Sequence, residues 1–168
     1  MPIIPDVVTF QKSLATLPIS TYQPGEIVLA AGSMTEQLLV LRQGLVQVLR
    51  DGTQIAKVSE PGAVFGELSA LLDKPHTADV RALERSEFIV ADAAALLAGD
   101  ATATLYIAAI LARRLDGANA ALVEIKRLLE AGKPRGVITK MVDKVQEFLS
   151  PGGDGGRYPH EAYLLYPF

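Results

Sequence analysis

The sequence predicts an antiparallel jelly-roll β-sandwich or barrel, flanked by helices and followed by one long C-terminal helix. Three observations lead to this mainly β fold class. Between residues 19 and 90, short runs of Val, Ile and Leu alternate with Gly and Pro turns at a spacing of about ten residues. The strands do not alternate with long helices, as they would in a parallel sheet. After Asp92 the composition becomes helical.

The first half of the chain begins with an amphipathic pattern that predicts a helix from Val7 to Leu17, ended by Pro18. Strands are then expected around two turn signals, Gly44 and Asp51-Gly52. The Asp-Gly pair predicts a tight hairpin because both positions tolerate positive φ. The expected strands include Leu39–Leu41, Val46–Leu49, Gln54–Val58, Thr77–Ala82 and Glu87–Val90.

The second half is expected to hold three helices. A short one covers Asp92 to Leu97 and is broken at Gly99, after which Asp100 or Thr102 caps a long helix to about Ala131. Apolar residues on that helix recur at intervals of 4 and 3, which indicates a heptad seam. The seam consists of Leu111, Leu115, Ala118, Leu122, Ile125 and Leu129. A further amphipathic helix spans Val137 to Leu149, before a Gly-rich linker and an aromatic tail, Tyr158 to Phe168.

These patterns divide the chain into four parts: an N-terminal helix (1–18), the β-domain (19–98), the long helix (99–131) and a C-terminal helix with its tail (132–168). The net charge of −3 gives no global attraction to nucleic acid or acidic lipid. The 168 residues include no cysteine, which excludes disulfides, thiolate metal sites and cysteine nucleophiles. Without a signal-peptide pattern or an apolar run of membrane-spanning length, we expect a soluble, cytoplasmic protein.

The segment from Pro61 to Val80 carries the functional signal. Within it, the stretch Phe65 to Leu72 lacks alternation and predicts one or two helical turns. Gly66, just before this helix, permits a ligand to approach the backbone, and free N–H groups at a helix start suit an anion. An anion would repel Glu67, unless Glu67 binds a neutral group such as sugar hydroxyls. A phosphate and a ribose at one site describe a nucleotide.

This segment resembles the phosphate-binding cassette of the cyclic-nucleotide-binding domains, and the resemblance extends from about Tyr22 to Leu115. It includes the spacing of Pro24-Gly25-Glu26, Gly32 and Gly44. The resemblance implies a ligand, cAMP or cGMP, with no cofactor and no metal. It implies a ligand site formed by Phe65, Gly66, Glu67, Leu68, Ser69, His76 and Thr77.

The resemblance also implies a role for each part of the site. Gly66 and the amides of Glu67, Leu68 and Ser69 match the cradle of the cyclic phosphate, and Glu67 matches the acid that binds the ribose 2′-hydroxyl. Thr77 matches a hydroxyl that reaches the phosphate or the base of a syn purine. The long helix matches the lid and dimer helix of the family, with Ala112-Arg113-Arg114-Leu115 similar to its usual sequence.

Two residues depart from the family pattern. His76 stands where the family has an arginine that pairs with the phosphate, and Asp79 stands where a small neutral residue is commoner. Loss of a charge-assisted hydrogen bond costs roughly 1.5–3 kcal/mol, or about one to two decades of affinity. A carboxylate at Asp79 would further disfavour a phosphate. The departures predict a weakened or altered ligand site.

Each candidate residue also has a purely structural interpretation. Glu67 could be an exposed acid at a helix start, so Glu67→Ala is expected to cost less than about 1 kcal/mol. His76 could be a surface loop histidine, and Thr77 could serve only its strand. Arg113 and Arg114 are expected to be solvated charges, with a lid contact as the alternative.

Three functions compete. The first is a stand-alone cyclic nucleotide sensor, and the second is a dimerisation or interaction scaffold that has lost its nucleotide. The third, an enzyme on a cupin-like jelly roll, needs clustered metal ligands, whereas the only histidines are His76 and His160. We therefore expect no enzymatic activity. Direct DNA binding is not expected either, because only about 36 residues follow Gly132.

The heptad seam predicts the partner of the long helix. It could pack on its own β-domain, but the 4-3 spacing favours a partner helix. We expect a homodimer through Leu111, Leu115, Leu122, Ile125 and Leu129, and no contact with a membrane.

Overall fold

The computed structural model describes residues 3–149, so the expectations for the linker, the aromatic tail and His160 lie outside the described residues. The elements in chain order are α1 (Val7–Ser13), β1 (Ile19–Tyr22), β2 (Ile27–Leu29), β3 (Gln37–Gln43), β4 (Val46–Arg50), β5 (Thr53–Val58), β6 (Val64–Phe65), α2 (Glu67–Leu72), β7 (Asp79–Ala82), β8 (Ser86–Asp92), α3 (Ala93–Gly99), α4 (Ala101–Glu130) and α5 (Arg135–Leu149).

The eight strands form two antiparallel four-stranded sheets, with orders β1-β8-β3-β6 and β2-β7-β4-β5. Apart from the β4–β5 hairpin, consecutive strands alternate between the sheets, which is the jelly-roll arrangement that the sequence predicts. The β4–β5 hairpin turns at Asp51 and Gly52, with φ values of 50° and 77°. The fold class and this hairpin are therefore confirmed.

Strand β3 separates two parts of the hydrophobic core. Leu39 and Leu41 face the other sheet and pack in a cluster that includes Phe65 and Phe88. The alternate residues, Leu38 and Val40, pack against α1, α3 and the first turns of α4. Because residues on both faces of β3 are buried, this strand is a continuous apolar run rather than an alternating one. The core thus holds the helices firmly on one sheet.

Several predicted boundaries differ from the structure, and for three of them the reason is local. Helix α1 ends at Ser13 rather than Leu17, because the next amides bond to carbonyls three residues back, as in Leu14 N–H to Gln11 O. Phe65 belongs to β6, and its ring packs edge-on against Phe88, so α2 begins only at Glu67. Strand β7 begins at Asp79 rather than Thr77, because the backbone of residue 76 bonds to a loop instead of a strand.

Helices α3 and α4 meet at a sharp corner of 106°. Asp100, which has extended dihedrals, makes the corner, and its carboxylate accepts the amide N–H of Ala103 at 2.9 Å. Phe10 of α1 and Tyr106 of α4 stack with ring centroids 3.9 Å apart, which holds the start of α4 on the β-domain. Over residues 3–149, no single helix is long and apolar enough to span a membrane.

The second half of α4 extends beyond the β-domain, and α5 folds back against it and against β5. Ala121 and Leu128 of α4 are buried there, and Ile138 and Met141 of α5 are half-buried. The heptad seam lies on another face. Its first residue, Leu111, packs on the β-domain core, whereas Leu115, Leu122 and Leu129 are 60–64% exposed. Most of the seam therefore does not pack on its own β-domain.

Candidate functional site

Gly66 fixes the backbone at the start of α2. Its φ is +89°, and a Cβ added there would lie 2.7 Å from the carbonyl oxygen of Gln37 in β3. Only glycine fits this close approach without strain. Strand β6 is paired with β3 directly before it, so the sheet itself sets the position of α2. This close approach is made by the protein's own β3 backbone, which agrees with Gly66 as a turn glycine; the approach of a ligand to its backbone stays a prediction.

Glu67 is the first residue of α2 and points into the protein. Its side chain is almost fully buried, and its Oε1 accepts a hydrogen bond from Nη1 of Arg114 at 2.6 Å. Arg114 lies on α4, 47 positions further along the chain, and is only 9% exposed. The expectation that Arg114 is a solvated helix charge is therefore wrong, because the buried carboxylate of Glu67 holds its guanidinium. The exposed helix-start interpretation of Glu67 is wrong for the same reason. The expected cost of less than about 1 kcal/mol for Glu67→Ala is wrong with it, because the substitution would leave the buried guanidinium of Arg114 without its partner.

Two buried polar atoms, one on each of the helices that the ion pair joins, lack hydrogen-bond partners among the described residues: Oγ of Ser69 and Nε of Arg114. Buried polar groups in native proteins are nearly always hydrogen-bonded, to protein, water or ligand. Ser69 follows Glu67 by two residues in α2, so both atoms belong to the elements that meet at the ion pair. The junction of α2 and α4 therefore has hydrogen-bonding capacity that the described protein groups do not use.

His76 is buried, with 8% of its surface exposed, so it is not a surface loop histidine. Its Nε2 lies 2.9 Å from the hydroxyl oxygen of Thr35, in the loop between β2 and β3. Burial lowers the pKa of His76 from its ordinary value of 6.5, and the charge of Glu67 offsets part of that effect. The Cε1 atom lies 3.7 Å from the position that a Cβ on Gly66 would occupy, so the ring stands beside the cassette.

The other predicted site residues are spread more widely. The side chain of Phe65 belongs to the core between the sheets, and Leu68 is 43% exposed, so these two positions contribute to the site through backbone and packing. Thr77 is exposed and lies outside the strands. Asp79 accepts the amide N–H of Ala31 at 2.7 Å.

Sequence reasoning missed Thr35 and Ala31 entirely, and it gave Arg114 the wrong surroundings. The similarity of Ala112–Leu115 to the family's helix was a signal for Arg114. No pattern in the sequence singled out Thr35 or Ala31, because their partners lie 41 and 48 residues further along the chain. No group of three or more His, Cys, Asp or Glu side chains within the described part of the chain could hold a metal ion.

Comparison with known proteins identifies the β-domain. Residues 19–99 match the family model of the cyclic nucleotide-binding domain. This segment is therefore a cyclic nucleotide-binding domain, as the resemblance of the cassette implied.

Solved structures support the same fold. The catabolite activator protein of Thermus thermophilus matches with a TM-score of 0.60 and 22% identity, over 83% of this chain and 82% of that chain. The CBD2 domain of PKAR bound to Sp-2Cl-cAMPS matches with a TM-score of 0.54 and 21% identity, over 77% and 89% of the two chains. At this identity the likeness describes the fold.

Curated relatives match over shorter segments. Glutaminase 2 of Bradyrhizobium diazoefficiens is 40% identical over 107 residues, which cover 59% of this chain and 17% of that protein. The hyperpolarization-activated cyclic nucleotide-gated channel 2 of Homo sapiens is 33% identical over 69 residues, 41% of this chain and 8% of the channel. The matched part is thus less than a fifth of each of these relatives.

Proposed function

We propose that this chain is a sensor module, not an enzyme, that binds a 3′,5′-cyclic nucleotide, cAMP or cGMP, at the α2 cassette. The observation that carries the proposal is the buried ion pair between Glu67 and Arg114, because it joins the cassette to α4. Gly66 fixes the backbone at the start of α2, and Ser69 of α2 and Arg114 of α4 each have a buried polar atom without a partner among the described residues. In the relatives above, the matched segment is less than a fifth of the protein.

The ion pair removes an electrostatic objection to this site. An isolated carboxylate beside a cyclic phosphate would repel it, but Arg114 compensates the charge of Glu67. Arg114 occupies Oε1, and no described group donates a hydrogen bond to Oε2. A ribose 2′-hydroxyl can therefore donate to Oε2 while the ion pair persists. The phosphate then meets backbone amides of α2 without a net negative side chain beside it.

The same ion pair supplies a path from ligand to output. A ribose hydroxyl at Glu67 changes the hydrogen bonding of a carboxylate that directly holds α4. A ligand shifts a conformational equilibrium by its differential affinity for the two states. Helix α4 continues from Arg114 into the exposed part of the seam, Leu115, Leu122 and Leu129, so its position affects that surface. We propose that this surface forms the homodimer that the heptad spacing predicts.

Calorimetric titration with cAMP and cGMP tests the binding proposal. Glu67→Gln should weaken binding by at least about tenfold, since the amide is a weaker acceptor for the ribose hydroxyl and loses the charge. Glu87→Gln is the matched control, because Glu87 is also buried and paired with arginines, Arg42 and Arg85, but lies on β8. Circular dichroism checks that both variants are folded. Equal affinity in wild type and Glu67→Gln would contradict the assigned role of Glu67.

A scaffold without nucleotide is the second candidate, and one observation favours it. The side chains at both departures from the family pattern, His76 and Asp79, hydrogen-bond to the protein's own loop. If neither nucleotide binds the wild-type protein while light scattering shows a dimer, the scaffold is the correct function. If a nucleotide binds, the sensor is correct.

A further inference from the structure

A loop of residues 31–35 holds the segment 76–79 in place, and we call it the anchor loop. Four hydrogen bonds join the two: Ala31 N–H to Asp79 Oδ1 (2.7 Å), Gly32 N–H to His76 O (2.8 Å), His76 N–H to Ser33 O (2.8 Å) and the contact of the Thr35 hydroxyl with His76 Nε2 (2.9 Å). Both the backbone and the ring of His76 are therefore fixed by the same loop.

This anchoring orients the two ring nitrogens differently. Nε2 faces Thr35, whereas Cε1 faces Gly66 at the cassette. Both ring nitrogens are bonded to Cε1, but Thr35 engages Nε2, whereas no described protein group hydrogen-bonds to Nδ1. Nδ1 is thus the ring nitrogen that is available to hydrogen-bond to a ligand bound beside Gly66.

The protonation state of the ring decides what Nδ1 can offer. Burial lowers the pKa of His76, so the ring is neutral at pH 7. The charge that acts on it is that of Glu67 of α2, whose carboxylate is paired with Arg114 of α4. A neutral imidazole has one donor and one acceptor nitrogen, and the bond at one nitrogen sets the tautomer. If the Thr35 hydroxyl donates to Nε2, the proton resides on Nδ1.

We propose that Thr35 is a positioning residue that fixes His76 as the Nδ1–H tautomer, so that a neutral imidazole donates a hydrogen bond to the ligand's phosphate. This inference rests on the proposed function, because the phosphate is the acceptor assigned to Nδ1–H. It also defines the ligand class. A neutral donor cannot compensate a second negative charge, so the site selects a singly charged phosphodiester over a doubly charged phosphomonoester.

Nitrogen-15 NMR of the imidazole rings tests the tautomer without any ligand. The sequence holds two histidines, His76 and His160, so His160→Gln assigns the spectrum. We expect a protonated Nδ1 and an unprotonated Nε2 in the free protein at pH 7.5. Thr35→Val should shift the tautomer ratio toward Nε2–H, and Thr35→Ser should retain the wild-type signature. A wild-type ring protonated at Nε2 would overturn the proposal even if nucleotides bind.

Titration with cAMP and cGMP tests the consequence for binding. Thr35→Val should weaken binding roughly five- to tenfold, the effect of one neutral hydrogen bond, and Thr35→Ser should restore it. Binding of 5′-AMP should be weaker than that of cAMP in the wild type. Equal affinities in wild type and Thr35→Val would refute the role of Thr35. If no nucleotide binds the wild type, the phosphate donor is refuted with the proposed function, while the NMR signature still decides the tautomer.

Discussion

Removal of the guanidinium of Arg114 is the most direct perturbation of the ion pair between α2 and α4. The side chains of Arg114 and Glu67 are 11% and 4% exposed, and Nη1 and Oε1 are 2.6 Å apart. Arg114→Met keeps most of the apolar length but leaves the charge of Glu67 buried. Breaking a buried pair in this way costs about 3–5 kcal/mol. At about 2–4 °C per kcal/mol for a chain of this size, Tm should fall by roughly 6–20 °C.

Urea unfolding followed by circular dichroism measures this cost, with Arg42→Met as the control. Arg42 pairs with Glu87, but its side chain is 53% exposed and Arg85 also holds that glutamate, so its loss should cost less than about 1 kcal/mol. The double variant Glu67→Gln/Arg114→Met should recover much of the loss, because no unpaired charge remains. If Arg114→Met costs no more than Arg42→Met, the ion pair is not buried in solution and the reasoning fails.

Three further outcomes are expected. In urea titrations, Gly66→Ala should lower the free energy of unfolding by roughly 1–3 kcal/mol more than Gly52→Ala. Both glycines have positive φ, but only the Cβ added at Gly66 meets a backbone oxygen. Equal losses in the two variants would contradict this reasoning. Light scattering should show that the wild type is a dimer, that Leu122→Glu is a monomer, and that Val123→Glu, which lies outside the seam, is still a dimer. A monomeric wild type would refute the seam as a dimer interface. Because burial lowers the pKa of His76, the imidazole takes up a proton at a higher pH in the unfolded chain than in the folded one. The free energy of unfolding of wild type, relative to that of His76→Gln, should therefore fall as pH drops from 7.5 to 5.5. A constant or rising difference would refute the lowered pKa.

Features that depend on a few neighbouring residues are those that the sequence analysis predicted well. The Asp51-Gly52 hairpin needs only two residues that tolerate positive φ. The Asp100 cap needs a carboxylate three residues before a free amide. The short helix after Gly66 likewise depends on a local backbone turn, although its start is shifted because Phe65 is required in the core.

Features that depend on contacts between residues far apart in the chain could not be predicted from the sequence. The surroundings of Arg114 are set by Glu67, and a sequence gives no account of which face of a long helix meets which turn. Two adjacent arginines on a helix look alike in sequence, yet Arg113 is half-buried and Arg114 is held by a carboxylate. The β-branched side chain of Thr77 favours a strand, but the neighbouring backbone of residue 76 hydrogen-bonds to the anchor loop instead.

The two departures from the family pattern have a common structural consequence. His76 and Asp79 are three residues apart, and the side chains of both bond to the anchor loop. The carboxylate of Asp79 accepts an amide N–H there, and the expectation that its charge disfavours a phosphate stays a prediction. Both side chains therefore support the loop that positions Thr35. The cassette then contains a compensated pair, Glu67 and Arg114, and a neutral imidazole, with no uncompensated cation among these groups. Such a site must bind its ligand mainly through backbone amides and neutral donors, so its affinity should depend only weakly on ionic strength, whereas a site with a free arginine would lose affinity as salt rises.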